Sequence, residues 1–354
     1  MADRSEDDLP VLSRWMFGAS PTHPLRWYFK AGEECPSRYQ GAVHEWWRNP
    51  ILTAIEETLA ILERVHPDGL LAKRQDFQGF WDQSAEGMDF FLTHRAELTV
   101  ASHIAASGVP FRFNGGEGPD LLLDAGATRF GIEVSSRRPK SLDSLTRELR
   151  AGLQARGMPA VVTTSTDHIP PVAIREKVRR EIIEAFLPSD GGPGVTSMRV
   201  EAAPARPEDG IPAAWVTIRV TSNESVSTMT APYNSPHMVA TAQEVARNVL
   251  REKRKVRQSK LMPTVLVVDV SGTDMPDLRC WGDVFGPMWE PTDEFVALAA
   301  MTMTRLSREP NLSFSINPYA GLQTVHAISE ITMPCALFTG LSDGVAKPRS
   351  PGSS

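Results

Sequence analysis

Lysine and cysteine are both scarce in this chain. Of its 37 basic residues only eight are lysine and 29 are arginine, and three cysteines are spread over 354 residues. Cys35, Cys280 and Cys335 form no CxxC or CxxxC pair. An odd, sparse set argues against a disulfide-stapled secreted scaffold and for a reducing compartment. The eight histidines show no HxxxH or HExxH spacing, so a zinc site of the usual kinds is not expected. No stretch approaches the roughly 18 consecutive apolar residues of a membrane span. The start, MADRSEDDLPVLSRW, carries three Asp and one Glu in its first eight residues and no apolar core, unlike a signal peptide. The expectation is a soluble, cytoplasmic protein without a membrane partner. Positive charge is short overall: 37 Lys and Arg against 43 Asp and Glu leave −6. That argues against nucleic-acid binding by bulk charge and leaves room only for a local basic groove. The arginine excess suits bidentate phosphate contacts, although a codon bias produces the same ratio.

What is present is an ordinary globular composition, 41% hydrophobic and 23% charged, in a chain long enough for about two domains. Residues 1–36 mix acids, prolines and aromatics and read as an extended arm. Residues 37–88 read as a helical region, with one helix from Arg38 to Val65 stopped by His66-Pro67-Asp68-Gly69. A second helix is expected over Phe77–Ala106. Residues 89–340 then read as one α/β domain, and 341–354 as a disordered tail. Short apolar runs at Phe111–Phe113, Leu121–Leu123 and Phe130–Val134, separated by glycine-rich turns, read as a strand meander. Further strands are expected at Met158–Thr163, Trp215–Val220, Pro263–Val270 and Leu312–Ile316, with another apolar stretch at Ile328–Leu337. Helices are expected at Ser141–Arg156, Pro171–Phe186, Thr241–Lys260 and Asp293–Leu306. Alternating strands and helices make an α/β fold with a mixed sheet flanked by helices.

Three carboxylates carry the chemical signal. Glu97 shares a helical stripe with Phe90, Ala101 and Ile104, where a buried charge is costly unless paired or bound to a cation. Asp120 follows Pro119 at the start of an apolar strand. Glu133 lies inside the next strand, with Ser135 and Arg137 on its face by the period of two. Carboxylates converging from a helix, a strand start and a neighbouring strand make a hard-oxygen site of the kind Mg²⁺ accepts. The competing reading has Asp120 ending a turn and Glu133 paired with Arg129 or Arg137 across the sheet.

Helix-Glu, Pro-Asp on a strand and Glu-x-x on the next strand resemble the PD-(D/E)XK nuclease superfamily, the restriction-endonuclease-like fold. The resemblance covers roughly residues 90–165 and continues weakly through the Lys255–Gln258 helix end and the Val265–Val270 strand. It implies a metal-dependent nuclease that hydrolyses phosphodiester bonds, in DNA, in a defence or DNA-processing setting. It also implies Mg²⁺ or Mn²⁺ on Asp120 and Glu133, with Glu97 in support. The lysine of the motif is replaced here by Ser135, which supplies no positive charge. Arg137, with Arg138 or Lys140 just after it, or Lys255 or Lys260 from the later helix, are the replacements in reach. The alternative is a catalytically degenerate module on the same fold that binds nucleic acid or a protein partner, or pairs with a second copy, without cutting.

A second feature is basic. From Arg247 to Lys260, seven positive charges and one negative give +6 in fourteen residues. Arg251, Lys253, Arg254, Lys255, Arg257, Gln258 and Lys260 are the candidate nucleic-acid contacts, whose affinity would fall steeply with salt. The plainer reading is a solvated helix face.

Overall fold

The computed structural model describes residues 10–21, 23, 25, 50–79, 85–125, 128–136, 142–158, 161–167, 175–221, 236–270, 281, 284–285, 288–302 and 311–320. Its helices are α1 (Val11–Met16), α2 (Pro50–Val65), α3 (Leu70–Gln78), α4 (Ala85–Ala106), α5 (Leu142–Ala155), α6 (Glu176–Phe186), α7 (Pro236–Leu250) and α8 (Lys253–Ser259). Its strands are β1 (Phe111–Phe113), β2 (Leu121–Ala125), β3 (Thr128–Ser136), β4 (Val161–Asp167), β5 (Ser197–Ala203), β6 (Ala214–Thr221), β7 (Thr264–Asp269), β8 (Ala297–Thr302) and β9 (Asn311–Ile316). They divide into two compact units. The first takes Met1–Ser136, Val249–Asp269 and Trp289–Ser354, and the second Arg137–Asn248 and Val270–Met288.

The first unit is built on a mixed six-stranded sheet of order β1-β2-β3-β7-β8-β9. The strands β1, β2 and β3 form the expected antiparallel meander. β3, β7 and β8 run parallel, and β9 closes the far edge antiparallel. β7 is buried at all six positions, as a continuous apolar run must be when both faces of a central strand are covered. On one face Ile132, Val134, Val265, Val267, Ala297, Ala299 and Met301 pack into a core with Leu98, Ala101 and Ile104 of α4 and Leu59 and Leu62 of α2. α1 joins this core through Leu12, Trp15 and Met16. Its first amides are held by Glu56, whose carboxylate accepts from Val11 N–H at 3.0 Å and Leu12 N–H at 2.6 Å.

The second unit is a three-stranded antiparallel sheet, β4-β6-β5. Leu145, Leu149 and Leu153 of α5 and Ile182 and Phe186 of α6 bury against Val162, Val216 and Ile218. Arg179, almost fully buried, pairs with Glu148.

Four expectations need correction. The helix expected over Asp293–Leu306 is absent, because Ala297–Thr302 is strand β8. Its alanines favour a helix intrinsically, but backbone pairing with β7 and β9 overrides propensity. Met301 accordingly fills a strand position. The helix over Phe77–Ala106 is two helices, since α3 ends at Gln78 and α4 starts at Ala85. The helix over Thr241–Lys260 is also two, broken at Arg251-Glu252, where Glu252 is extended. The strand over Met158–Thr163 starts later, at Val161.

Strand β5 leaves only a faint signal in the sequence, because Ser197, Arg199 and Glu201 alternate exposed with two apolar residues. The expected helix over 171–186 is observed from Glu176. Most of the arm, residues 38–49, the three cysteines, the 328–337 stretch and the tail lie outside the described residues. No helix among the described residues is long and apolar enough to cross a membrane.

Candidate active site

Every group of the candidate site belongs to the first unit. The turn before β2 is shaped by glycine and proline. Gly118 has φ of 126°, a conformation that glycine adopts without a side-chain clash. Asn114 ties the turn together, its Nδ2 donating to Pro119 O at 2.9 Å while its own backbone N–H donates to Asp120 O. Pro119 lies against β3 where Gly131 has no side chain. A Cβ at Gly131 would stand 2.2 Å from Pro119 Cγ and 2.7 Å from Pro119 Cβ, both in a rigid ring. Gly131→Ala is therefore expected to displace the Pro119–Asp120 segment and destabilise the chain by about 1–3 kcal/mol, the usual cost of overpacking. A urea titration checks this, and an unchanged midpoint would mean that Pro119 moves aside freely.

Register then brings the first two acids together. Leu121 pairs with Ile132, so Asp120 falls opposite Glu133, and Val134 N–H donates to Asp120 Oδ2 at 2.8 Å. With Ile132 and Val134 in the core, alternation puts Glu133 and Ser135 on the opposite face of β3, in register with Leu266 and Val268. Glu133 and Ser135 are each 4% exposed.

The cations come from two short helices. The break at Glu252 starts α8 afresh, and its Lys255 and Gln258, three apart, share one side. Lys255 Nζ lies 2.5 Å from Glu133 Oε1, and Gln258 Nε2 donates to Gly118 O at 2.8 Å. One helix thus holds both acid-bearing segments. α3 supplies the other cation. Gly69, at φ of 85°, would place a Cβ 2.9 Å from Phe113 Cβ, and Phe113 N–H donates to Asp68 O. That junction fixes the start of α3 against β1 and sends Lys73 to Glu97, Nζ to Oε2 at 2.7 Å.

These charges are mutually coupled. Burial and the Glu97 charge raise the Asp120 carboxyl to about 6, against the Val134 amide and the two ammonium groups. Glu97 is also raised, by burial first, with Lys73 opposing and Glu133 adding. Burial works against the Lys73 ammonium, but Glu97, Asp120 and Asp76 outweigh it and its pKa rises. One turn before Glu97, burial and the Lys73 charge hold His94 down to about 4. Three carboxylates face two ammonium groups, so the fully ionised cluster carries one surplus negative charge in a poorly solvated place.

A divalent cation suits that surplus. Among the described residues no group of three or more His, Cys, Asp or Glu is gathered to hold a metal ion. Mg²⁺ sites of the phosphoryl-transfer kind use one or two carboxylates, completed by water and substrate oxygens. Asp120 and Glu133 are the two acids that could contribute to such an open site, and the donor set does not fit a closed cage.

The structure therefore brings together Glu97, Asp120, Glu133 and Lys255 as the candidate acids and cation. Arg129 pairs with Asp124 at 3.0 Å and not with Glu133. Lys260 does not reach the acids, since it pairs with Glu294 at 3.4 Å. Arg251 pairs with Glu290, and Arg257 is exposed. Arg137 and the side chains of Lys253 and Arg254 lie outside the described residues. Lys73 went unrecognised in the sequence. Its only local sign is a lysine one turn after a glycine stop in a chain with eight lysines. No protein-family model, no curated protein and no solved structure matches the chain.

Proposed function

We propose that the first unit is a restriction-endonuclease-like core and that the chain is a metal-dependent nuclease acting on phosphodiester bonds in DNA. The observation that carries the reading is Lys255 Nζ at 2.5 Å from Glu133 Oε1, beside Asp120. The motif lysine, absent from the strand at Ser135, has a substitute that arrives from α8. Asp120 and Glu133 would hold Mg²⁺ or Mn²⁺. Such an ion supplies Lewis acidity and a bound water of lowered pKa for attack at phosphorus. Lys255 keeps a positive charge at the acids, where negative charge grows on the phosphate in the transition state. Lys73 holds Glu97 in place, and Glu97 in turn raises the proton affinity of Asp120.

The deciding assay is plasmid or oligonucleotide cleavage with Mg²⁺ or Mn²⁺. Cutting is expected from the wild-type chain, with loss on EDTA treatment and in the Glu133→Ala variant. Activity that survives Glu133→Ala overturns the assignment.

A second reading, a nuclease-fold module that binds nucleic acid without cutting, draws support from Ser135 and from acids already engaged by Val134 N–H and Lys255. It predicts salt-dependent binding with no cleavage under any divalent metal.

A further inference from the structure

The outer flanks of α8 face acids of the chain itself. Arg251, just before the helix, pairs with Glu290, and Lys260, just after it, pairs with Glu294. All four side chains are about half exposed, from 41% to 59%. Between these two points Lys255 and Gln258 reach the acidic site from the same helix.

The acidic turn is held independently of these pairs. Trp289 is buried and its Nε1 donates to Ser315 Oγ at 2.9 Å. Phe295, at the other end, is fully buried, and Asn317 Nδ2 donates to the carbonyls of Phe295 and Asp293. Glu290 and Asp293 close the turn on themselves, N–H of Glu290 to Asp293 Oδ2 and N–H of Asp293 to Glu290 O. Pro291 stiffens it further. The helix, for its part, is docked by Lys255 and Gln258. Exposed ion pairs add little to stability, so the two outer pairs contribute little to fixing either element. Their main consequence is electrostatic: two carboxylates cover two cations of the most basic segment in an acidic chain.

We propose that Glu290 and Glu294 act as an internal phosphate mimic, covering Arg251 and Lys260 until a phosphodiester backbone takes their place. The proposal rests on the reading of the α8 site as a nucleic-acid site and names its flanks as the surface that takes the backbone. Phosphate displaces a carboxylate readily here because the pairs are solvated and screened, while each neutralised phosphate releases counterions.

Binding of a fluorescein-labelled duplex oligonucleotide, followed by anisotropy across a salt series, tests it. The Glu290→Gln/Glu294→Gln chain is expected to bind roughly tenfold tighter at low salt. Its plot of log affinity against log salt should keep the wild-type slope, whereas adding Arg251→Gln and Lys260→Gln should flatten it by about 1.8, two lost phosphates at about 0.9 each. The gain should vanish when Arg251→Gln and Lys260→Gln are added. Glu176→Gln/Glu181→Gln is the control: it changes net charge equally and uncovers Arg180 and Lys177 on α6. An equal gain in that control, no gain in the first variant, or no binding by any variant overturns the proposal. Cleavage separates it from the nuclease reading. A binding gain in a chain that never cuts leaves the masked surface standing and removes the nuclease, whereas Glu133-dependent cutting without the gain does the reverse.

Discussion

Lys255→Met is expected to remove both activity and stability. Glu133, 4% exposed, would be left without the ammonium group that now sits on Oε1. Removing one partner of a buried ion pair costs about 3–5 kcal/mol, because the remaining charge stays desolvated. The same change takes away the ammonium group that touches a candidate metal ligand, and cleavage should fall about 10²–10³-fold. Denaturant unfolding and initial cleavage rates read the two losses separately. Lys255→Met/Glu133→Gln should regain most of the stability and none of the activity, since a neutral pair of similar shape leaves no buried charge. A single variant as active as the wild type would reduce Lys255 to a structural tie.

Lys73→Met is the second large effect, and it carries a pH signature. Lys73 and Glu97 have side chains only 14% and 9% exposed, so breaking the pair should again cost about 3–5 kcal/mol near neutral pH. The Glu97 pKa already lies above its ordinary 4.5 through burial, with Lys73 opposing the rise. Without Lys73 it rises further. A carboxyl whose folded pKa is raised contributes its full stability below its unfolded value and loses it as pH climbs through the folded one. The deficit of Lys73→Met should therefore shrink as pH falls toward 4.5, where Glu97 takes a proton. The wild type gains less over the same range, because Lys73 holds its Glu97 pKa below that of the variant, so the two curves converge. Unfolding free energies measured from neutral pH downward, with Lys73→Met/Glu97→Gln as the neutral reference, decide it. A deficit that stays constant with pH would mean that lost packing of the lysine stem, and not the ion pair, carries the cost.

The candidate acids were legible for local reasons. Glycine, proline and a strand start place Asp120, alternation places Glu133, and a helical stripe places Glu97. Each depends on neighbours within a few residues, and the meander β1-β2-β3 followed from the same signals. The basic run around Lys255 was visible as composition, but its division of labour was not. In one continuous helix over 241–260 the seven cations would be a single charged segment. The observed break at Glu252 turns Lys255 and Gln258 inward and leaves Arg251 and Lys260 at the flanks, against acids 39 and 34 positions away. The error at β8 has the same origin, since an alanine-rich run becomes a strand only when β7 and β9 are there to pair with it.

By itself, then, the sequence determined the α/β class, the meander and the three acids, because turns, alternation and helical stripes are short-range properties of the chain. Tertiary structure alone decided which of the candidate cations meets the acids, and added Lys73 to them. Lys255 meets Glu133 across 122 positions and Lys73 meets Glu97 across 24, pairings set by the order of strands in the sheet and the docking of two short helices. A charge is recognised by what it lies against, and no local pattern encodes a neighbour that distant. The scarcity of lysine acquires a sharper meaning in this light: of eight lysines in the chain, two stand in this one buried acidic cluster.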